Sequence, residues 1–176
     1  MSDKLPSREQ ALQLLTKNRS SRNVINHCIA VSDLARKTAE TLKKKGLAID
    51  VKLVEIGALL HDIGRSKIHD VNHGREGARI VENAGLPKEI ISIVKRHVGG
   101  GIPPKEAEIL GWPNDVYTPI TLEEKVVAFA DELIDGTKQV PVELTIEEFF
   151  RRGYPDAAQR VRRLHDEIAS LISDCS

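Results

Sequence analysis

No segment of this 176-residue chain alternates apolar and polar side chains convincingly with period two, whereas apolar residues recur at spacings of three and four along most of it, so the chain reads as all-helical. Ser7 to Gln10, after Pro6, spells a capping box, and Ala11, Leu12, Leu14 and Leu15 give the opening helix an apolar face that ends near Asn18. A second helix is expected from about Asn23 to Lys45. Its face of Val24, His27, Val31, Leu34, Thr38 and Leu42 turns His27 inward, and Gly46 follows a basic last turn. Asp50 caps a third helix that carries Val54, Ala58 and Leu59 into the stretch His61-Asp62-Ile63-Gly64. The polar segment from Arg65 to Asn72 is expected to be an exposed loop. His73 then opens a helix that stops at Gly85, and Leu86-Pro87 starts another that runs to His97.

Gly99-Gly100-Gly101 and Pro103-Pro104 lead into a short helix from Lys105 to Leu110, followed by irregular loop from Pro113 to Pro119. Thr121-Leu122-Glu123-Glu124 reads as a second capping box. The helix it starts carries Val126, Val127, Phe129, Ala130, Leu133 and Ile134, with Asp131 inside that apolar field. Thr145 to Glu148 reads as the cap of a short amphipathic piece with Phe149 and Phe150, and Pro155 starts a last helix through Val161, Leu164, Ile168 and Leu171.

Composition narrows what such a chain can do. The length suits a single domain, residues 1–176, with a sizeable core. Lys and Arg balance Asp and Glu at 26 each, so no global field argues for a nucleic acid or a membrane surface as partner. The apolar runs fall far short of the roughly 20 residues that a membrane span needs, and Met1-Ser2-Asp3-Lys4 has no signal-peptide core. A cytoplasmic protein is expected. Cys28 and Cys175 fit neither a disulfide framework nor a zinc ribbon, and both are expected to be reduced.

Chemistry concentrates in six residues, His27, His61, Asp62, His73, His97 and Asp131, each in or at the end of a predicted helix. A single inward histidine is ordinarily a hydrogen-bonded core residue, and a single buried aspartate a cap or ion-pair partner. Together they need a common partner. Adjacent His61 and Asp62 cost stability in a core unless each is satisfied, and imidazole with carboxylate suits zinc, iron or manganese.

The spaced signature His27, His61-Asp62-Ile63-Gly64 and Asp131 resembles the HD superfamily of metal-dependent phosphohydrolases, in its His-Asp-Ile-Gly branch, over roughly Asn23 to Ile134. The resemblance implies an all-α, HD-type helical bundle, with a metal-binding core at 23–134 and a C-terminal helical extension at 135–176. It implies that His27, His61, Asp62 and Asp131 bind one metal. It further implies that His73 and His97 are the added ligands of binuclear members, with Asp62 bridging both ions. The expected cofactor is a pair of divalent ions per chain, Fe, Mn, Zn, Co or Ni, with Mg admissible. Two cations about 4 Å apart would hold a shared hydroxide and stabilise the attacking and leaving oxygens of an in-line displacement.

For the phosphate, Lys67 and then Arg65 follow the motif directly, so Lys67 joins Asp62 as a catalytic candidate; Arg22 and Arg96 are further candidates for binding substrate. The implied function is a phosphomonoesterase or phosphodiesterase acting on a nucleotide or another small phosphoester. Two alternatives share the ligand set: a mixed-valent di-iron oxygenase on a small polar substrate, and a nucleotide-binding module without turnover.

Three features are set aside. Gly153-Tyr154-Pro155 spells the tripeptide of the cyclic-dinucleotide phosphodiesterase branch, but it falls after Asp131, and His97 is followed by Val98 instead of a second histidine. Gly99-Gly100-Gly101 follows a helix and opens none, so it ends a helix instead of cradling phosphate. His165, among Arg162, Arg163 and Asp166, belongs on the surface.

Overall fold

Side-chain caps set where several helices begin. The structure is a computed structural model that describes residues 4–174. Its α-helices are α1 (Arg8–Lys17), α2 (Arg22–Lys44), α3 (Val51–Leu60), α4 (His73–Asn83), α5 (Lys88–Arg96), α6 (Pro104–Ile109), α7 (Leu122–Asp131), α8 (Val142–Arg151) and α9 (Pro155–Ser173). Ser7 Oγ accepts from the Gln10 amide at 3.1 Å while Gln10 Oε1 accepts from the Ser7 amide at 2.8 Å, so the first capping box is complete. Ser21 caps α2 through the Val24 amide, and Asp50 caps α3 through the Leu53 amide. The fold is helical, as the periodicity requires, and no helix among the described residues is long and apolar enough to cross a membrane.

One core joins most of the elements. α2 supplies Val31, Ala35, Ala39 and Leu42, α3 Val54, Ile56, Leu59 and Leu60, and α5 Ile90, Ile93 and Val94; α7 adds Val126, Val127 and Ala130, and α9 Ala158, Val161 and Ile168. Cys28 is buried in this core with a free thiol; Cys175 lies outside the described residues. A second, smaller cluster of Ile102, Ala107, Trp112 and Tyr117 stands apart, with Val71 and Val98 packed against it.

Four local expectations change. α7 stops at Asp131 instead of running to Ile134, and Ile134–Asp135 (β1) pairs antiparallel with Lys138–Gln139 (β2). Gly136, at φ +60°, is the first of the two loop residues, where a tight hairpin turn calls for a positive φ. Glu124 does not close a box onto Thr121: its Oε2 accepts from the Ile120 amide at 2.7 Å, and both its oxygens hold Arg96 at 2.9 and 3.1 Å. Thr121 still caps the helix, its hydroxyl accepting from the Glu124 amide at 3.2 Å, so only the reciprocal half of the box is lost. Thr145 does not start α8, because Pro141 takes the N-cap position; the Thr145 hydroxyl instead donates to the Glu132 carbonyl at 2.6 Å.

The fourth change concerns the segment after the motif. Ile63–Ser66 forms a 3₁₀ turn with Ile63 and Gly64 buried, and only Lys67, His69 and Asp70 of the stretch 65–72 are exposed. The turn is drawn inward by α4. A Cβ on Gly64 would fall 1.9 Å from the His73 carbonyl oxygen and 2.6 Å from the Gly77 amide nitrogen. No side chain fits there, and the missing one lets α4 lie directly on the turn.

Candidate metal centre

The six residues singled out in the sequence converge from five helices. His27 lies in the second turn of α2, His61 caps the C-terminus of α3 with Asp62 next to it, His73 is the first residue of α4, His97 caps α5, and Asp131 closes α7. Each of the four imidazoles donates its Nδ1 hydrogen to a backbone carbonyl: His27 to Gly136 at 2.8 Å, His61 to Ala58 at 2.7 Å, His73 to Asp70 at 2.7 Å and His97 to Val94 at 2.8 Å. Three of these carbonyls are three residues upstream, Ala58 and Val94 in the last turns of α3 and α5 and Asp70 in the loop just before α4, so the local backbone aims the rings. The fourth belongs to the hairpin turn after Asp131. Such bonds fix ring orientation and leave Nε2 as the coordinating atom.

All four Nε2 atoms face the two carboxylates, which divide them into two groups. Asp131 Oδ1 lies 3.0 Å from His27 Nε2 and 3.2 Å from His61 Nε2, and Asp62 Oδ2 stands 3.8 and 3.7 Å from the same two nitrogens. On the other side, Asp62 Oδ1 is 3.2 Å from His73 Nε2 and 3.4 Å from His97 Nε2. Asp62 thus gives one oxygen to each group.

The donor chemistry fits divalent ions. Asp62 Oδ1 is buried and accepts no hydrogen bond, and the His73 and His97 Nε2 atoms face each other at 3.1 Å. An orphaned buried acceptor beside two imidazole nitrogens is costly unless a cation sits among them. His27, His61 and Asp131 form one set of ligand atoms, and His61, Asp62 and His97 another, each within 4.8 Å of one another. Mixed imidazole and carboxylate donors suit iron, manganese or zinc.

Electrostatics describe how the same groups are held by protons. Burial works against charge on His61, yet the Asp62 and Asp131 carboxylates raise it well above its ordinary range; His27 is raised likewise, its burial outweighed by Asp131. Burial would raise the Asp62 carboxyl, but the surrounding imidazoles, His61 foremost, hold it well below the usual range, and Asp131 is lowered in the same way by His61 and His27. His97, fully buried, is pushed down by desolvation. Glu132, which the sequence reading passed over, also lines the cavity, and burial with the neighbouring Asp131 charge pushes its carboxyl well above the ordinary value.

The centre opens into a cavity of about 1510 Å³, walled on one side by α6 and on the other by the turn between α8 and α9. The basic candidates part company here. Arg65 lines the cavity, with Nε donating to Asp62 Oδ2 at 2.9 Å and a terminal nitrogen to the His69 carbonyl at 3.1 Å. Lys67 is exposed beside Glu76 and does not line it. Arg22 is exposed at the start of α2, where Asn23 reaches the cavity instead, and Arg96 is committed to Glu124 and the Val116 carbonyl. Two features set aside in the sequence reach the same cavity, Gly99 and the Gly153-Tyr154-Pro155 turn. His165 remains apart, stacked on Phe129 and bonded to Asp166.

Comparison with known proteins accords with this arrangement. The family model of the HD domain matches residues 24–134, a span that contains all six residues. The chain is 47% identical over 167 residues to an uncharacterized protein of Methanocaldococcus jannaschii, covering 93% of this chain and 98% of that protein. It is 39% identical over 168 residues to the tRNA (cytidine(56)-2'-O)-methyltransferase of Thermoplasma volcanium, covering 96% of this chain but 48% of the methyltransferase, so the chain spans about half that relative's length. Among solved structures, the HD domain of the L. monocytogenes phosphodiesterase PgpH in complex with cyclic-di-AMP matches with a TM-score of 0.57 at 19% identity, covering 93% of this chain and 98% of the other; a likeness at that identity is one of fold.

Proposed function

Because the chain belongs to the HD domain family, we propose that it is a metal-dependent phosphohydrolase acting on a phosphoester of a nucleotide. The observation that carries this reading is the placement of Asp62, one carboxylate oxygen toward His27 and His61 and the other toward His73 and His97. His27, His61, Asp131 and Asp62 Oδ2 would hold one ion; His73, His97 and Asp62 Oδ1 would hold the second. Divalent ions so held supply Lewis acidity to a phosphoester and activate water as its nucleophile.

The chain's own groups do the rest. The four carbonyl bonds at Nδ1 keep the imidazoles aimed, so the ligand set is preorganised. Arg65 is the cation best placed to hold non-bridging phosphate oxygens, ahead of Lys67, because it is the one of the two that borders the cavity. The unit 23–134 carries every metal ligand, and the segment after it supplies the hairpin that orients His27 and the far wall of the cavity. A nucleotide as substrate is supported by the cyclic-di-AMP bound to the PgpH HD domain and by the tRNA methyltransferase among the relatives.

The test is release of phosphate or nucleotide from a nucleotide panel by protein loaded with Mn, Fe(II), Co or Ni. Turnover with at least one metal is expected; a fully loaded protein that turns over none of the panel would sink the reading.

A further inference from the structure

One carboxyl group beside the metal ligands belongs to neither set of donors. Glu132 follows Asp131 at the end of α7, is half-buried and borders the cavity, close enough to Asp131, His61 and Asp62 to feel their charges. Its backbone is pinned on both sides. The Glu132 amide donates to the Ala128 carbonyl at 3.3 Å and its carbonyl accepts from the Thr145 hydroxyl at 2.6 Å, so the end of α7 and the first turns of α8 fix where the side chain leaves the chain.

The carboxyl group is short of partners. Among the described residues no lysine or arginine pairs with it and no side chain donates to it; the backbone amide of Gly100 faces it as a donor. The turn after His97 is built from Gly99, Gly100 and Gly101 at φ +55°, +70° and +99°, so an amide with no side chain beside it meets the carboxyl. A carboxyl group has about four acceptor positions, and one amide engages one of them. The others are open to the cavity, next to the place where the two carboxylates and four imidazoles gather.

The chemistry of the missing partner is narrow. A second phosphate would meet like charge, and an ammonium group would suit the ionised carboxylate alone. A hydroxyl both donates and accepts, so it satisfies Glu132 in either protonation state. In a nucleotide whose phosphate sits at the metal centre, the hydroxyls nearest the phosphate are those of the sugar, and acidic side chains take ribose hydroxyls in dinucleotide-binding folds for the same reason. We propose that Glu132 is a specificity-determining residue that binds a sugar hydroxyl of the substrate, so that the site favours a ribonucleotide over its deoxy counterpart. This role rests on the phosphohydrolase reading but makes a separate demand, discrimination by one hydroxyl.

Binding and turnover are measured in parallel. The full chain loaded with Mn is titrated calorimetrically with AMP, 2'-deoxy-AMP and 3'-deoxy-AMP, for the native protein, Glu132→Ala and Glu132→Gln. At least one deoxy analogue is expected to bind the native protein about tenfold or more weakly than AMP. Glu132→Ala is expected to bring the affinities together, and Glu132→Gln, whose amide still meets a hydroxyl, to keep part of the gap. A mere prop for the Gly100 turn would shift all three affinities alike. Metal content and melting temperature are read on each variant; if Glu132→Ala does not hold its metal, Glu132→Asp, which withdraws the oxygens by one methylene, carries the same expectation. Equal binding of AMP and both analogues by the native protein, or a gap undiminished when the carboxyl is removed or withdrawn, overturns the assignment even if the nucleotides are hydrolysed. A gap that Glu132 controls, without turnover of any phosphoester, upholds Glu132 and overturns the reading beneath it.

Discussion

The Nε2 atoms of His73 and His97 stand 3.1 Å apart while both Nδ1 hydrogens are committed to the carbonyls of Asp70 and Val94. Neither ring can turn away without breaking its backbone bond, so the pair is held open toward Asp62 Oδ1. This half of the centre is separable from the half that contains His27, His61 and Asp131. Replacing His97 with alanine is expected to lower bound metal from two equivalents per chain to one. Asp62→Ala, which removes an oxygen from both groups, is expected to weaken both positions by more than the ~10–100-fold that loss of a supporting hydrogen bond costs. Elemental analysis of the purified variants checks both, and two equivalents retained by Asp62→Ala would refute the bridging role.

Stability of the metal-free protein should depend on pH with a definite sign. His61 is raised above its ordinary 6.5, so its contribution is complete below that value and is lost as pH climbs through the folded value. Asp62 and Asp131 are lowered from 3.8, so theirs is complete above that value and is lost as pH falls through the folded values. The melting temperature of metal-free protein is therefore expected to decline as pH rises above about 6.5. Added Mn should reverse the decline, because imidazoles freed of protons bind metal more tightly. Scanning calorimetry with and without metal reads the difference, and a metal-free melting temperature that rises steadily with pH across this range would contradict it.

Trp112 ties the smaller hydrophobic cluster to the second half of the centre. Its indole N–H donates to Asn72 Oδ1 at 2.8 Å, Asn72 donates to Asp70 Oδ1 from its amide nitrogens at 2.8 and 3.0 Å, and the Asp70 carbonyl receives His73. Trp112→Phe keeps a ring in the cluster and removes the hydrogen bond, at a cost of about 1 kcal/mol. The second metal equivalent should bind several-fold more weakly while the first is unchanged. Stepwise calorimetric titration separates the two. Because Trp112 is the single tryptophan, its emission in the native protein should change with the second equivalent and not the first.

Much of this was legible where the signal is local. Ser7 and Asp50 are readable as caps because their partners are three residues away. His27, His61 and His97 each occupy an inward or terminal position in a predicted helix, and it is their number, together with the carboxylates, that calls for a common partner. The structure brings those residues together with Asp62, His73 and Asp131. What escaped depends on distant partners or on runs too short to show a period. β1 and β2 have two residues each, so no alternation can be seen. Glu124 is diverted by Arg96 from a separate helix. Whether Arg65 or Lys67 borders the cavity depends on how the 3₁₀ turn seats against α4, and the cavity wall at Tyr154 meets the centre only through the tertiary fold.

Gly64 gives the four-letter motif a division of labour. His61 and Asp62 bring donor atoms, Ile63 anchors in the core, and the glycine brings clearance: a Cβ there would coincide with the His73 carbonyl at 1.9 Å. The spacing between the two halves of the centre is thus gauged by a missing methyl group. A residue that can touch no ion and no substrate still sets the gap that Asp62 has to span.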